Sequence, residues 1–348
     1  MTSSPSQSRA TLRRHGRSFH WAGRFLPEHQ LHAGARLYHV CRQVDDIADN
    51  AANDAQRDRA ARLLAALQQR LAARRPASST SPLIIDVQAP GRVADAGAAN
   101  AALSSDEQRL VADIQADIDA LFAENSLAVH AMQDLLATMQ TDLSPLHLTS
   151  EQALLRYAYG AAGTVGVMMC PLLNVRDQAC ALPHAIDLGM GMQMTNIARD
   201  VLEDARRGRV YLPRSWLTGD VTAEAIAEGD AHARRQAWLA ARRLVAQADA
   251  YYASGWQGLA YLPWRARLAI GVALRVYRAI GKRLERLDER AYWAGRVVVP
   301  AVSKGYQSIR AMPALFAFGR RGQHDASLHT PLGHCLSPYG LGPAGDAP

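Results

Sequence analysis

Phenylalanine is scarce in this chain, with five residues in 348, and cysteine is scarcer, with four. Cys41, Cys170, Cys180 and Cys335 form no C-x-x-C pair, and no local His/Cys group has zinc spacing. A disulfide framework and a zinc ribbon are therefore excluded, and the thiols read as reduced and mostly buried in a cytoplasmic protein. No uninterrupted apolar run reaches the roughly 18–20 residues of a membrane span. The opening stretch, MTSSPSQSRATLRRHGRSFHWAG, lacks the 7–15-residue apolar core of a secretory signal. Membrane contact is thus expected only as peripheral contact, on the inner face of the cell membrane. β-Branched runs are few, no strand pair or internal repeat stands out, and there is no G-x-G-x-x-G dinucleotide loop.

What is present is helix-forming. Ala, Leu and Arg dominate; hydrophobic residues make up 49% and charged residues 20%, enough for a large core. The formal net charge of +7, from 39 basic and 32 acidic residues, suits an anionic partner. Nucleic acid, an acidic membrane surface and a phosphorylated substrate all qualify, as do merely solvated helix faces. A nucleic-acid binder predicts one continuous basic face. Here the arginines are dispersed, apart from Arg206, Arg207 and Arg209, so no nucleic-acid partner is expected.

Helical periodicity runs from about Trp21 to Ala52 and from Asp54 to Arg75. It resumes over Ser105–Glu124, Val129–Asp142, the stretch opening at Thr149 or Ser150, Pro183–Arg206, Thr222–Tyr252, Pro263–Leu287 and Val299–Phe318. Residues 78–104 are rich in Pro, Ser, Gly and Ala and read as a loop insertion. Residues 1–14 read as a mobile polar tail and 319–348 as an irregular Gly/Pro-rich tail. The expectation is one all-α domain over 15–318, a bundle of about eight to ten helices.

Two helices carry an unusual polar stripe. Tyr38, Arg42, Asp45 and Asp49 are spaced four, three and four residues apart. At 100° per residue they point within about 60° of one another. Alone, this is either a solvated face with an Arg–Asp pair or a metal-binding face, since carboxylates one turn apart bracket Mg²⁺. The second stripe is Gln193, Asn196, Asp200 and Asp204, spaced three, four and four. Every member is an oxygen donor, and the basic cluster at 206–209 follows at once. Two such faces opposed across a bundle form a strongly negative site, stable when divalent cations fill it. Those cations in turn hold a diphosphate.

The stretches YHVCRQVDDIAD and QMTNIARDVLEDARRGRVYLP resemble the two acidic motifs of the squalene/phytoene synthase family. The trailing GRVYLP is close to the form seen in that family's phytoene synthases. GRSFHWAGRFLP is similar to the family's N-terminal Ser-Phe segment and YAYGAAGTVG to its Tyr/Gly-rich helix. LRVYRAIGKRL and WAGRVVVPAVSKG stand where the late helices do. The resemblance spans about residues 15–310, without the insertion or the tail after about 320. Asp46 replaces a common Glu, with the same charge. Ala158 stands where a Tyr-Cys-Tyr form is commoner, which alters the cavity wall.

The resemblance implies an isoprenoid synthase bundle with a central cavity and head-to-head joining of two prenyl diphosphates. The expected product is phytoene, from geranylgeranyl diphosphate by way of a cyclopropylcarbinyl diphosphate. The alternative is a farnesyl diphosphate-using squalene, dehydrosqualene or presqualene diphosphate synthase. Mg²⁺ (or Mn²⁺) is implied, on Asp45, Asp49, Asn196, Asp200 and Asp204; NADPH is not expected for phytoene. Catalytic positions implied are Tyr38, Arg42, Asp45, Asp49, Asn196 and Asp200. Substrate-contacting positions implied are Ser18, Phe19, Tyr157, Tyr159, Gly163, Gln193, Arg206, Tyr277 and Arg296. A non-catalytic relative that kept the fold predicts damaged acidic motifs, and these are intact.

Other features have bland readings beside functional ones. Gly160, Gly163 and Gly166 suit a close helix crossing, or room for an isoprenoid chain. The methionines at 168, 169, 190, 192 and 194 read as core filler. The early histidines, His15, His20, His29, His32 and His39, share no helix face with carboxylates at zinc distance. The aromatic and basic stretch at 242–271 is either ordinary amphipathic packing or a membrane-facing surface.

Overall fold

Side-chain caps start most of the helices. Ser4, Asn53, Ser104, Asn125, Ser150, Asp177, Thr222, Asp230 and Asp288 each accept a hydrogen bond from a backbone N–H in the first turn of the helix that follows. The computed structural model describes residues 2–51, 53–73, 103–144, 146–316 and 323–342. Nearly all of the 78–104 insertion lies outside these described residues.

The order is α1 (Pro5–His15), α2 (Arg17–Gly23), α3 (Glu28–Asp49), α4 (Asp54–Ala72), α5 (Ser105–Phe122), α6 (Ser126–Thr141), α7 (Glu151–Ala158), α8 (Thr164–Leu172) and α9 (Gln178–Ala205). Then follow α10 (Ala223–Glu228), α11 (Ala231–Gly258), α12 (Trp264–Leu284), α13 (Glu289–Trp293) and α14 (Ala301–Ala311). The fold is all-α, as expected. The elements outnumber the periodic stretches because short breaks divide them. Pro27 separates α2 from α3, and Gly229, at φ +97°, separates α10 from α11. Among the described residues a single parallel contact, Leu146–His147 (β1) with Arg209–Val210 (β2), joins two loops near the ends of α6 and α9.

α9 is the central helix. α11 packs along it, and α8, α12 and α10 also lean on it. Between α7 and α8 the chain makes a five-residue π-helical turn, Tyr159–Gly163. There α9 and this segment cross backbone to backbone. A Cβ on Gly166 would stand 2.1 Å from the Ala185 carbonyl oxygen, and one on Gly189 would stand 2.1 Å from that of Ala162.

Both chain ends differ from the sequence expectation. Residues expected to be mobile form α1, started by a reciprocal Ser4–Gln7 capping box and held on α3 through buried Leu12. Residues 326–339, expected to be irregular, form 3₁₀ turns that bury Leu332 and Leu336 against the bundle. Among the described residues no helix is long and apolar enough to cross a membrane.

Candidate active site

α3 and α9 both line one cavity of about 670 Å³. At its apolar end α8 joins their N-terminal halves. A side chain on Gly34 of α3 would stand 3.7 Å from Met169 of α8, and α8 crosses α9 at Ala185. Leu31, Leu173, Leu259, Leu262 and Ile270 complete this end. The C-terminal turns of α3 and α9 meet at the polar end, where Arg209 Nη1, just beyond α9, lies 2.6 Å from Asp49 Oδ1. Leu31 and Asp45 both line the cavity, so it follows α3 for about 21 Å at 1.5 Å per residue.

Carboxylates and guanidinium groups crowd the polar end. Arg42 Nη1 donates to Asp45 Oδ2 at 2.7 Å, and Arg42 also pairs with Asp46. Arg296 grips Asp200 with two hydrogen bonds, 2.8 and 2.9 Å, and Arg199 Nε donates to the same carboxylate at 2.8 Å. Burial pushes the Asp200 carboxyl up, but these two guanidinium groups outweigh it and hold the group below its ordinary range.

Three other carboxyls are not so compensated. Asp45 is pushed up to about 7, by burial and then by Asp49 across one helical turn. It lies within the bundle while its side chain opens onto the cavity. Asp204 is pushed up by burial and by Asp200. Asp142, at the end of α6, is pushed up to about 6 by burial, opposed by Arg209 and by two tyrosines. Tyr157 and Tyr211 each donate to Asp142 at 2.9 Å, their rings 4.6 Å apart. Asp142 also feels Asp49, and it raises both Asp45 and Asp204. One field therefore couples the two acidic faces.

Most of the residues expected from sequence converge here. Phe19, Tyr38, Arg42, Asp45, Asp49, Tyr157, Gln193, Asn196, Asp200, Asp204, Tyr277 and Arg296 all line the cavity. The Phe19 ring lies 5.1 Å from Tyr277 and 6.1 Å from Tyr38, giving one aromatic wall.

Four do not line it. Tyr159 points the other way, its hydroxyl donating to Asp134 at 2.7 Å and lying 3.2 Å from the Tyr339 hydroxyl. It follows the lining residue Tyr157 by two positions and so stands about 200° round the helix from it. Gly163 faces Ile186 and Met190 at the helix crossing, so the packing reading of that glycine holds. Arg206, the C-cap residue of α9, is exposed and outside the cavity, whereas exposed Arg207 and buried Arg209 both line it. Ser18 is half-buried on α2, beside the lining residue Phe19. Two methionines read as core filler, Met169 and Met192, also line the cavity.

Arg199, Asp142 and Tyr211 were missed. Arg199 had a signal, since it follows Asn196 by three residues and so continues the second stripe. Asp142 had none, because its burial depends on the long-range packing of α6 against the Tyr157 and Tyr211 elements.

The donor set suits a hard divalent cation. It is all oxygen, and Asn196 Oδ1 is buried without a hydrogen-bond partner. The residues that could hold such an ion, Asp45, Asp49, Asn196, Asp200 and Asp204, all line this cavity.

The likeness to known proteins agrees with this geometry. A 15-cis-phytoene synthase of Enterobacter agglomerans is 35% identical over 280 residues, 79% of this chain and 84% of that protein. A phytoene synthase of Cereibacter sphaeroides is 34% identical over 284 residues, 80% of this chain and 71% of its own. A 15-cis-phytoene synthase of Pantoea ananas reaches 47% identity over 140 residues, 44% of its length. Among solved structures, a dehydrosqualene synthase bound to a ligand superposes with a TM-score of 0.64 at 21% identity, covering 90% of this chain and 97% of that one. The squalene synthase HpnC of Alicyclobacillus acidocaldarius gives 0.53 at 20% identity, covering 81% and 93%. The family model for squalene/phytoene synthase matches residues 12–303, and the chain belongs to that family.

Proposed function

We propose that this protein is a prenyltransferase that joins two geranylgeranyl diphosphates head to head, through a cyclopropylcarbinyl diphosphate, to phytoene. The observation that carries the reading is one cavity with two carboxylate faces at one end and an apolar wall at the other. The several relatives named phytoene synthase favour the C20 substrate over the farnesyl alternative.

Each residue group has a task in such a reaction. Arg42, Arg199, Arg207, Arg209 and Arg296 bind diphosphate oxygens, since guanidinium forks match them in pairs. Mg²⁺, with Mn²⁺ as substitute, held by Asp45, Asp49, Asn196, Asp200 and Asp204, supplies charge neutralisation as a diphosphate departs. Phe19, Tyr38 and Tyr277 present ring faces to the allylic and cyclopropylcarbinyl cations. The apolar end orients both prenyl chains and excludes water, which would otherwise capture the cation as an alcohol. Tyr157 and Tyr211 hold Asp142 in place behind the first acidic face.

The test is incubation of the full chain with Mg²⁺ and either C15 or C20 diphosphate, with product analysis. The reading expects a C40 hydrocarbon from C20. Turnover of C15 alone would replace the substrate assignment, and no turnover of either would remove the enzyme assignment.

The substrate and product are lipids, and we extend the reading to peripheral contact with an anionic membrane surface. The stretch at 242–271 is mostly packed within the bundle, which weakens it as the contact. A different surface supports the reading. Val298, Val302, Tyr306, Ile309, Met312 and Phe316 are all exposed, Val302 at 88% and Phe316 at 77%. Trp264, at the start of the neighbouring α12, is exposed as well. From 297 to 316 the only charged residues are Lys304 and Arg310. An apolar ridge with cations and no anions suits a bilayer carrying negative headgroups.

A further inference from the structure

Asp187 lies on α9 but does not line the cavity, and its side chain is completely buried. His324 Nε2 stands 2.8 Å from Asp187 Oδ2, and His329 Nε2 stands 2.8 Å from Oδ1. The two imidazole nitrogens and the carboxylate oxygen all lie within 4.8 Å of one another. Ser254 of α11 donates to Asp187 Oδ2, and His184 Nδ1 holds the Ser254 hydroxyl at 2.8 Å. Among the described residues no Lys or Arg pairs with Asp187. A carboxylate this deep needs positive charge close by. A divalent cation placed between them would take the two imidazole nitrogens and the carboxylate oxygen as ligands.

We propose that Asp187, His324 and His329 form a Zn²⁺ site that fastens the 323–342 segment to the bundle. Two nitrogens and one oxygen are a zinc donor set, and three protein ligands leave a fourth position for water. Ser254 and His184 orient the carboxylate from behind, as outer-shell groups do in metal sites. The histidines lie 137 and 142 residues beyond Asp187, so local spacing in the sequence does not reveal the site. The segment is already laid in place: Gln152 donates to the Pro331 carbonyl at 3.1 Å, and Tyr251 donates to that of Leu328 at 3.2 Å. Zinc then cross-links the C-terminal segment to the helix that carries the second acidic face. The proposal is independent of the reaction assigned above.

The test uses tag-free full-length protein, stripped with chelator and titrated with Zn²⁺ and separately with Co²⁺. One tight zinc equivalent per chain is expected, with a melting temperature that rises with free zinc. Co²⁺ is expected to give the intense visible absorption of a four-coordinate nitrogen/oxygen site, which an octahedral all-oxygen site lacks. Asp187→Asn and the double variant His324→Ala/His329→Ala lose both the equivalent and the spectrum. Asp45→Asn/Asp204→Asn keeps them, which separates this site from the acidic cavity. Ser254→Ala weakens zinc about 10–100-fold. The proposal is overturned if wild-type protein takes up no zinc equivalent, if Co²⁺ gives only the octahedral spectrum, or if the double variant binds as wild type does.

Discussion

Asp204 shows what the acidic site costs the protein. Its carboxyl has no hydrogen bond or ion pair to a described residue, and burial and Asp200 both oppose its charge. Neutralising it relieves both. In chelator, Asp204→Asn is expected to raise stability by about 0.5–2 kcal/mol while cutting turnover at least a hundredfold. Thermal melts paired with product assays check this; a variant both less stable and fully active contradicts it. Arg296→Ala leaves Asp200 with Arg199 alone, and a loss of about 10²–10³ in kcat is expected if it binds the departing diphosphate. At this scale the sequence was informative wherever a residue belonged to a helical stripe. Asp45, Asp49, Asn196, Asp200 and Asp204 were legible because α3 and α9 run unbroken through them. Tyr159 was the exception: it stands about 200° round the helix from Tyr157, so the two could not both face the cavity, and periodicity alone did not say which one does.

At the scale of elements, the crossing of α8 with α9 is the most demanding contact. Gly166→Ala places a methyl carbon against a backbone oxygen that has no rotamer to yield. A loss of about 3 kcal/mol or more is expected, read by denaturant unfolding, against under 1 kcal/mol if the helices simply part. The start of α5 gives a pH-dependent case. Glu107 accepts from the Ser104 N–H at 2.8 Å and pairs with Arg59, and its carboxyl is held down to about 2. The backbone hydrogen bond is the main cause, and the side chain is shielded by the helix start and Arg59. A depressed carboxyl stabilises the fold above its ordinary pKa of 4.5 and loses that contribution as pH falls through about 2. Glu107→Gln is therefore expected to cost about 1–3 kcal/mol at pH 7, with the difference shrinking from about pH 4.5 toward pH 2. A pH-independent difference contradicts it. Helix positions were legible from period and caps. Their divisions at Pro27 and Gly229 were partly so, and α1 was not, because its weakly apolar sequence is helical chiefly through a cap and through packing on α3.

The molecule as a whole combines a lipid-sized cavity with an exposed apolar ridge on α14, packed against α12, whose residues Ile270 and Tyr277 line that cavity. Ile309→Glu/Phe316→Glu is expected to abolish sedimentation with vesicles containing phosphatidylglycerol and to leave turnover of detergent-dispersed substrate unchanged. Equal sedimentation of wild type and variant would remove the membrane reading. The ridge was not legible in the sequence, and the cavity was expected only through the family resemblance. Both depend on which helix faces remain uncovered after packing, and periodicity alone does not say what a face meets. The opposition of the two acidic faces was legible only as a pairing of like motifs. The central claim is that these faces share divalent cations. It is tested most directly by crystals soaked with Mn²⁺ and an unreactive prenyl thiodiphosphate, located by anomalous scattering. The account predicts manganese between Asp45 and Asp49 on one side and Asn196, Asp200 and Asp204 on the other, in contact with the diphosphate. Manganese found on one helix alone, or only at surface carboxylates with the diphosphate elsewhere, would contradict it.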